Sequence, residues 1–185
     1  MKKSILMCAV IVIVAVSLVW TQEPAKKKKA PLSPAAETSV AFGDKKITIK
    51  YSAPSLRGRP TVFGEGGRVT QDGTYPVWRA GANAATALHT DADLNIKGLA
   101  VPAGDYTIYV QVKPEPWQLI INKQTGQWGT AYNKDQDLGR VPMNVSKPPE
   151  PIETYKMTLS STGANAGKLQ LEWENVIASV PFKVK

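Results

Sequence analysis

The residues with the most chemistry to offer lie in and around one stretch, Val77 to Thr86, which reads V-W-R-A-G-A-N-A-A-T. It sets Trp78, Arg79 and Asn83 among small residues. Loops and strand ends elsewhere add Arg57, Asn122, Trp128, Tyr132 and Arg140. Aromatic faces supply broad apolar contact, and guanidinium and amide groups supply directional hydrogen bonds. That mixture suits a pocket for a sugar, a peptide or a polar small molecule. These eight residues form the candidate ligand-binding set. They also have a plain structural alternative: Trp78 would plug one end of the fold, and Arg79 and Asn83 would satisfy buried loop carbonyls. Trp117 and Trp173 are assigned to the core.

The commoner catalytic designs find little support. A Ser-His-acid triad needs a base near neutral pH, and His89 is the one histidine in the chain. No G-x-S-x-G elbow occurs. Asp91 is expected to sit too close along the strand to orient the His89 ring, so His89 reads as an exposed strand residue. Acid pairs occur at Asp91 and Asp93, Asp135 and Asp137, and Glu172 and Glu174. Two-carboxylate glycoside hydrolysis needs such groups at a defined separation across a sugar, and solvated surface acids are the default. The spacing Asp91-x-Asp93-x-Asn95 approximates the start of a calcium loop but lacks the glycine and distal glutamate of an EF-hand. No catalytic residue, metal or cofactor is assigned. Asn144-Val145-Ser146 matches a glycosylation sequon and is treated as chance.

The elements that must position the candidate set are strands. Ile47, Ile49 and Tyr51 alternate with polar residues after a turn at Phe42 to Lys45. Thr86 to Thr90 and Leu94 to Val101 read as short strands, the second broken by Gly98. Tyr106, Ile108, Val110 and Val112 alternate with Thr107, Tyr109, Gln111 and Lys113, after the turn P-A-G-D. Trp117 to Asn122 runs back, and Arg140 to Val145 reads as one short strand. Three more alternating runs end at Leu159, Trp173 and Val184. No stretch after the leader has a helical period. Half-apolar strands with frequent turns predict an all-β fold, an antiparallel two-sheet β-sandwich of jelly-roll or immunoglobulin-like type. Each sheet should keep one wet face. Two long loops, Ser52 to Pro76 and Lys123 to Gly139, interrupt the pattern, and long loops in compact domains are often functional.

The N-terminus is different. Lys2 and Lys3 precede an apolar run from Ser4 to Trp20, the pattern of a secretory signal and about the length of a membrane anchor. Residues 1–22 are therefore assigned as a helical signal or uncleaved anchor, 23–36 as a Lys/Pro-rich linker, and 37–185 as a single sandwich domain. Cys8, the one cysteine, falls early in the apolar run, which excludes lipidation there and leaves a mature chain with no disulfide or thiolate metal site. The formal charge is +8. Most of it lies in Lys2, Lys3 and Lys26 to Lys29, not in a stripe within the fold, so nucleic acid is not an expected partner. Contact with a membrane is expected only through the N-terminal segment. The protein is expected in the periplasm or outside the cell, with anchoring to the inner membrane through its leader as the alternative.

Several motifs carry a resemblance. Y-S-A-P-S-L-R-G-R (Tyr51 to Arg59), V-W-R-A-G-A-N-A-A-T, P-A-G-D-Y (Pro102 to Tyr106), W-Q-L-I-I-N-K (Trp117 to Lys123), Q-W-G (Gln127 to Gly129) and L-E-W-E (Leu171 to Glu174) together resemble a bacterial family known as domain of unknown function 2911, DUF2911. The resemblance runs from about Leu32 to the C-terminus. It implies an exported, β-rich domain with no established activity. The segment Pro60 to Pro76 departs from the family's spacing in being longer and richer in glycine, and His89 falls on none of the motifs. The function expected from the residues is a non-catalytic module binding a small molecule, glycan or protein. A hydrolase using acidic loop residues and a purely structural envelope protein are the alternatives.

Overall fold

The computed structural model describes residues 30–185; the proposed signal or anchor and the first half of the linker lie outside them. The described chain is two antiparallel sheets. The first has the order β1 (Ala35–Phe42), β2 (Lys45–Ser52), β4 (Thr86–Thr90), β7 (Gly104–Gln111), β8 (Gln118–Asn122), β9 (Asp137–Pro142), and β3 (Val77–Trp78) also pairs with β7. The second has the order β11 (Ile152–Gly163), β12 (Ala166–Glu174), β13 (Val176–Val184), β5 (Leu94–Ile96), β6 (Leu99–Val101), and β10 (Asn144–Ser146) pairs with β13. The alternating residues of the two inner faces make the core, among them Ile47, Ile49, Ile108, Leu119, Met157, Leu171 and Val180. Period-two burial of this kind follows from the pleat, which sends successive side chains to opposite faces.

Where the sheets meet at one side, hydroxyl groups of the first sheet reach the second. The Leu159 amide donates to Thr38 Oγ1 and the Met157 amide donates to Tyr51 OH, both at 3.0 Å. These bonds occupy backbone donors on the edge strand β11 that would otherwise face outward.

Two strand expectations change. The segment Arg140 to Val145 is not one strand. It ends β9 in the first sheet at Pro142, which has no N–H to continue a ladder, and begins β10 in the second sheet at Asn144. Met143 makes the crossing, buried, with its amide donating to Trp117 O. The polar-looking face of β7 is not wet either. Thr107 and Tyr109 are buried because the loop after β8 folds over them, and Val77, Tyr109 and Ile120 form a small second core with Tyr132 on the outer face.

Candidate functional site

The candidate stretch is an interruption in a strand. Trp78 pairs with Val110, and Thr86 pairs with Ile108. Between those pairs β7 has only Tyr109, so residues 79–85 cannot stay in the ladder and loop out. Ala80 (φ 50°) and Asn83 (φ 62°) take left-handed conformations to do so, which side chains other than asparagine and aspartate rarely adopt. The loop is tied at its base. Trp78 Nε1 donates to Gly81 O at 3.2 Å, and Thr86 Oγ1 donates to Ala80 O at 2.8 Å.

The loop after β8 lies against this one. Ala84 and Trp128 form an isolated antiparallel bridge. The Gly129 amide donates to Asn83 O and the Ala85 amide to Gln127 O. Close approach requires the glycine: a Cβ on Gly129 would lie 2.2 Å from Arg79 Cδ.

The long segment between β2 and β3 is the third wall. It is held by burial rather than by a ladder. Phe63 inserts edge-on among Trp78, Trp117 and Trp173, with ring centroids 5.2, 4.8 and 5.8 Å away. Beside it, Glu174 Oε2 accepts from the Val62 and Phe63 amides at 3.1 and 3.2 Å. Glu174 sits in the β12–β13 turn with φ 53° and is buried. A carboxylate accepting two amides substitutes for the strand partner that this segment lacks.

The three walls enclose a cavity of about 460 Å³. Arg57, Arg59, Arg68, Asp72, Arg79 and Trp128 reach it, with Ser55, Asn83 and Thr130 between them. Arg79 is buried, its Nη2 2.8 Å from Asp72 Oδ2 and its Nη1 donating to Asn83 O. It therefore braces two walls against each other and is a positioning residue. Arg57, at φ 52°, donates from its guanidinium to Leu32 O, and its backbone amide donates to Glu153 Oε1. Arg59 donates to Ser55 O. Arg57, Arg59 and Arg68 are exposed and form no ion pair among the described residues. Trp128 is 57% exposed at the rim.

The eight residues singled out from sequence thus divide. Arg57, Trp78, Arg79, Asn83 and Trp128 meet at the cavity, although Trp78 is almost wholly engaged in the aromatic cluster beneath it. Asn122, Tyr132 and Arg140 do not. They converge on Asp137 at the outer face of the first sheet: Tyr132 OH donates to Oδ2 at 2.7 Å, Arg140 Nη2 lies 2.8 Å from the same oxygen, and Asn122 Nδ2 donates to Oδ1 at 2.8 Å. Burial first, and the Asp137 hydrogen bond second, push the Tyr132 phenol well above its ordinary range. This network clasps the loop after β8 to the sheet. Sequence reasoning missed Arg59, Arg68 and Asp72, whose Gly- and Pro-rich surroundings mark a loop without marking which side chains turn inward. It also missed Glu174, whose partners lie more than a hundred positions away.

His89 is an exposed residue of β4, as expected, but Asp91 reaches its ring. Strand β4 ends at Thr90, so the chain turns and Asp91 swings back to the ring. His89 Nδ1 lies 2.8 Å from Asp105 Oδ1 and Nε2 lies 3.1 Å from Asp91 Oδ1. Hydrogen bonding to Asp105, then to Asp91, raises its pKa above 6.5. The oxygens of the calcium-like spacing serve backbone donors: Asp91 accepts from Lys46, Asp93 from Ala103 and Asn95 from Gly98.

No curated protein and no solved structure matches the chain significantly. A family model described as "Protein of unknown function (DUF2911)" matches residues 33–182, nearly the whole described domain and all three walls of the cavity. The chain belongs to the DUF2911 family.

Proposed function

We propose that this domain is a non-catalytic binding module, working outside the cytoplasm, that holds a small polar molecule or glycan in the cavity between the three loops. One observation carries the reading. Three loop segments, two flanking β3 and one following β8, are tied to one another by Arg79, Asp72, Asn83 and Gly129, and the result is an open concavity of ligand size with polar groups and one exposed indole at its rim. Left-handed residues gather at the same place: Arg57 and Asn83 line the cavity, Ala80 lies buried in the same loop as Asn83, and Glu174 anchors the third wall. Conformations of that kind persist only where surrounding structure enforces them, and they concentrate at ligand clamps. In two of the acid pairs offered for hydrolysis one member is engaged elsewhere, Asp137 by Tyr132, Arg140 and Asn122, and Glu174 by backbone amides, which favours binding over hydrolysis.

The test is a panel of neutral and acidic sugars and common metabolites, read by intrinsic tryptophan fluorescence. Trp128→Ala should abolish the response to whichever compound the wild type binds, while changing stability by no more than the ~0.5 kcal/mol of an ordinary surface substitution. A wild type that answers to no compound, or a Trp128→Ala variant that binds as before, defeats the reading. Export is tested separately, by fractionating the native host and sequencing the N-terminus of the recovered protein. Recovery in the cytoplasm would defeat that part.

A further inference from the structure

We infer that the cavity takes a phosphate monoester carried on a ring-bearing molecule, an inference that rests on the binding reading above and names its ligand class. Of the arginines in the chain, only Arg140 lies elsewhere; Arg57, Arg59, Arg68 and Arg79 all line this one cavity. Among the described residues no lysine lines it, although lysines are much the commoner cation in the sequence. A wall that merely needed positive charge or solubility would draw on both. Selective use of arginine fits a planar fork that grips two oxygens at once, as carboxylates and phosphates require.

Charge then separates those two anions. The one carboxylate that the described residues place on the wall, Asp72, is bonded to Arg79. Arg57, Arg59 and Arg68 remain without an acidic partner among the described residues. A carboxylate brings one charge and two oxygens. A phosphate monoester brings roughly −1.5 to −2 at neutral pH and three strong acceptors, a closer match to three cations. Trp128 stands at the same rim with more than half its surface exposed, a face on which a sugar or base ring can stack. Asn83, Ser55 and Thr130 complete the wall with neutral groups suited to ring hydroxyls. The chemistry that recognises the ester is the same whether it arrives in solution or as a lipid headgroup.

The experiment is calorimetric titration of the full chain in mild detergent with glucose 6-phosphate, glucose, glucuronate and inorganic phosphate. Sedimentation with phosphatidylcholine vesicles, with and without phosphatidate, forms a second arm. Glucose 6-phosphate should bind more tightly than glucuronate, and glucose least. Arg59→Gln and Arg68→Gln should each weaken it about 10-fold, the value of one charge-assisted hydrogen bond, with unchanged melting temperature because both side chains are exposed. Trp128→Ala should weaken glucose 6-phosphate and leave inorganic phosphate unaffected. Binding to phosphatidate vesicles without a response to glucose 6-phosphate would overturn the inference, because phosphatidate offers the phosphate monoester without a ring. Glucose binding as well as glucose 6-phosphate would overturn it and leave the pocket reading standing. Failure of the wild type to bind glucose 6-phosphate, inorganic phosphate and phosphatidate vesicles alike would also overturn it, as would glucose 6-phosphate affinity indifferent to both arginine variants.

Discussion

Arg79 Nη2 lies 2.8 Å from Asp72 Oδ2, with the two side chains only 9% and 12% exposed, and the pair joins the segment before β3 to the loop after it. A buried ion pair of this kind is worth little over a well-packed apolar pair, but removing one member strands a charge. Asp72→Ala should therefore cost about 3 kcal/mol or more in urea unfolding, and Arg79→Ala a similar amount. The double change Asp72→Leu with Arg79→Met should recover most of that loss. If either single variant unfolds like the wild type, the pair does not brace the walls.

Gly129 is fixed by the same guanidinium. Its missing Cβ would meet Arg79 Cδ at 2.2 Å and Asn83 O at 2.8 Å. The Arg79 side chain is held by Asp72 and cannot retreat freely. Gly129→Ala should cost about 1–3 kcal/mol through overpacking, measured by thermal melting. Arg79→Ala in the Gly129→Ala background should then cost less than Arg79→Ala alone, since the clash leaves with the side chain.

The third wall depends on Glu174. Replacing it with Ala leaves the Val62 and Phe63 amides without an acceptor, at roughly 1–3 kcal/mol for each such group. Glu174→Gln keeps a carbonyl oxygen in place and should lose less. Hydrogen exchange reads the difference locally: the amides of residues 62 and 63 should lose protection in Glu174→Ala while those of β7 keep theirs. Equal protection in both variants would show that Phe63 alone holds the segment.

His89, as the sole histidine, offers a direct titration by NMR. Its pKa is raised by Asp105 first and Asp91 second, so Asp105→Asn should lower it more than Asp91→Asn. A raised folded pKa stabilises the fold fully below the unfolded value of 6.5, and that contribution is lost as pH rises through the folded pKa. The ring is half exposed, so water screens the effect and stability should fall only modestly across that window. A measured pKa below 6.5 would contradict the bonded geometry.

The strands were legible because each half-buried strand writes its geometry into a period of two: Tyr155, Met157 and Leu159 are buried and their neighbours are not. That rule reads one face at a time, so it could not foresee that Tyr109 would be covered by Tyr132 from a separate loop. Nor could it divide residues 140–145 between two sheets, because the crossing at Met143 leaves the alternation unbroken. The candidate site was legible in part. Trp78 to Asn83 and Trp128 stand out by composition, but their partners are chosen by contacts across the chain. Glu174 bonds Val62, and Arg140 bonds Asp137 instead of the cavity. No local pattern distinguishes an arginine that clasps a loop from one that faces a ligand.

The break opposite Tyr109 separates two kinds of inheritance in one polypeptide. Residues 79–85 leave β7 after Trp78 and rejoin it at Thr86 in register, so the strand beyond them does not count how many residues were spent in the excursion. Lengthening or rewriting that excursion leaves the pairing of Thr86 to Thr90 untouched, whereas one residue inserted within Thr86 to Thr90 would invert every later side chain of that strand. Within a single domain, the frame is held by its register, whereas the excursion is held by its own contacts, Arg79 to Asp72 and Gly129 to Asn83. Relatives should differ in length at the segment before β3, where no ladder counts residues, and agree in spacing along β4 and β7.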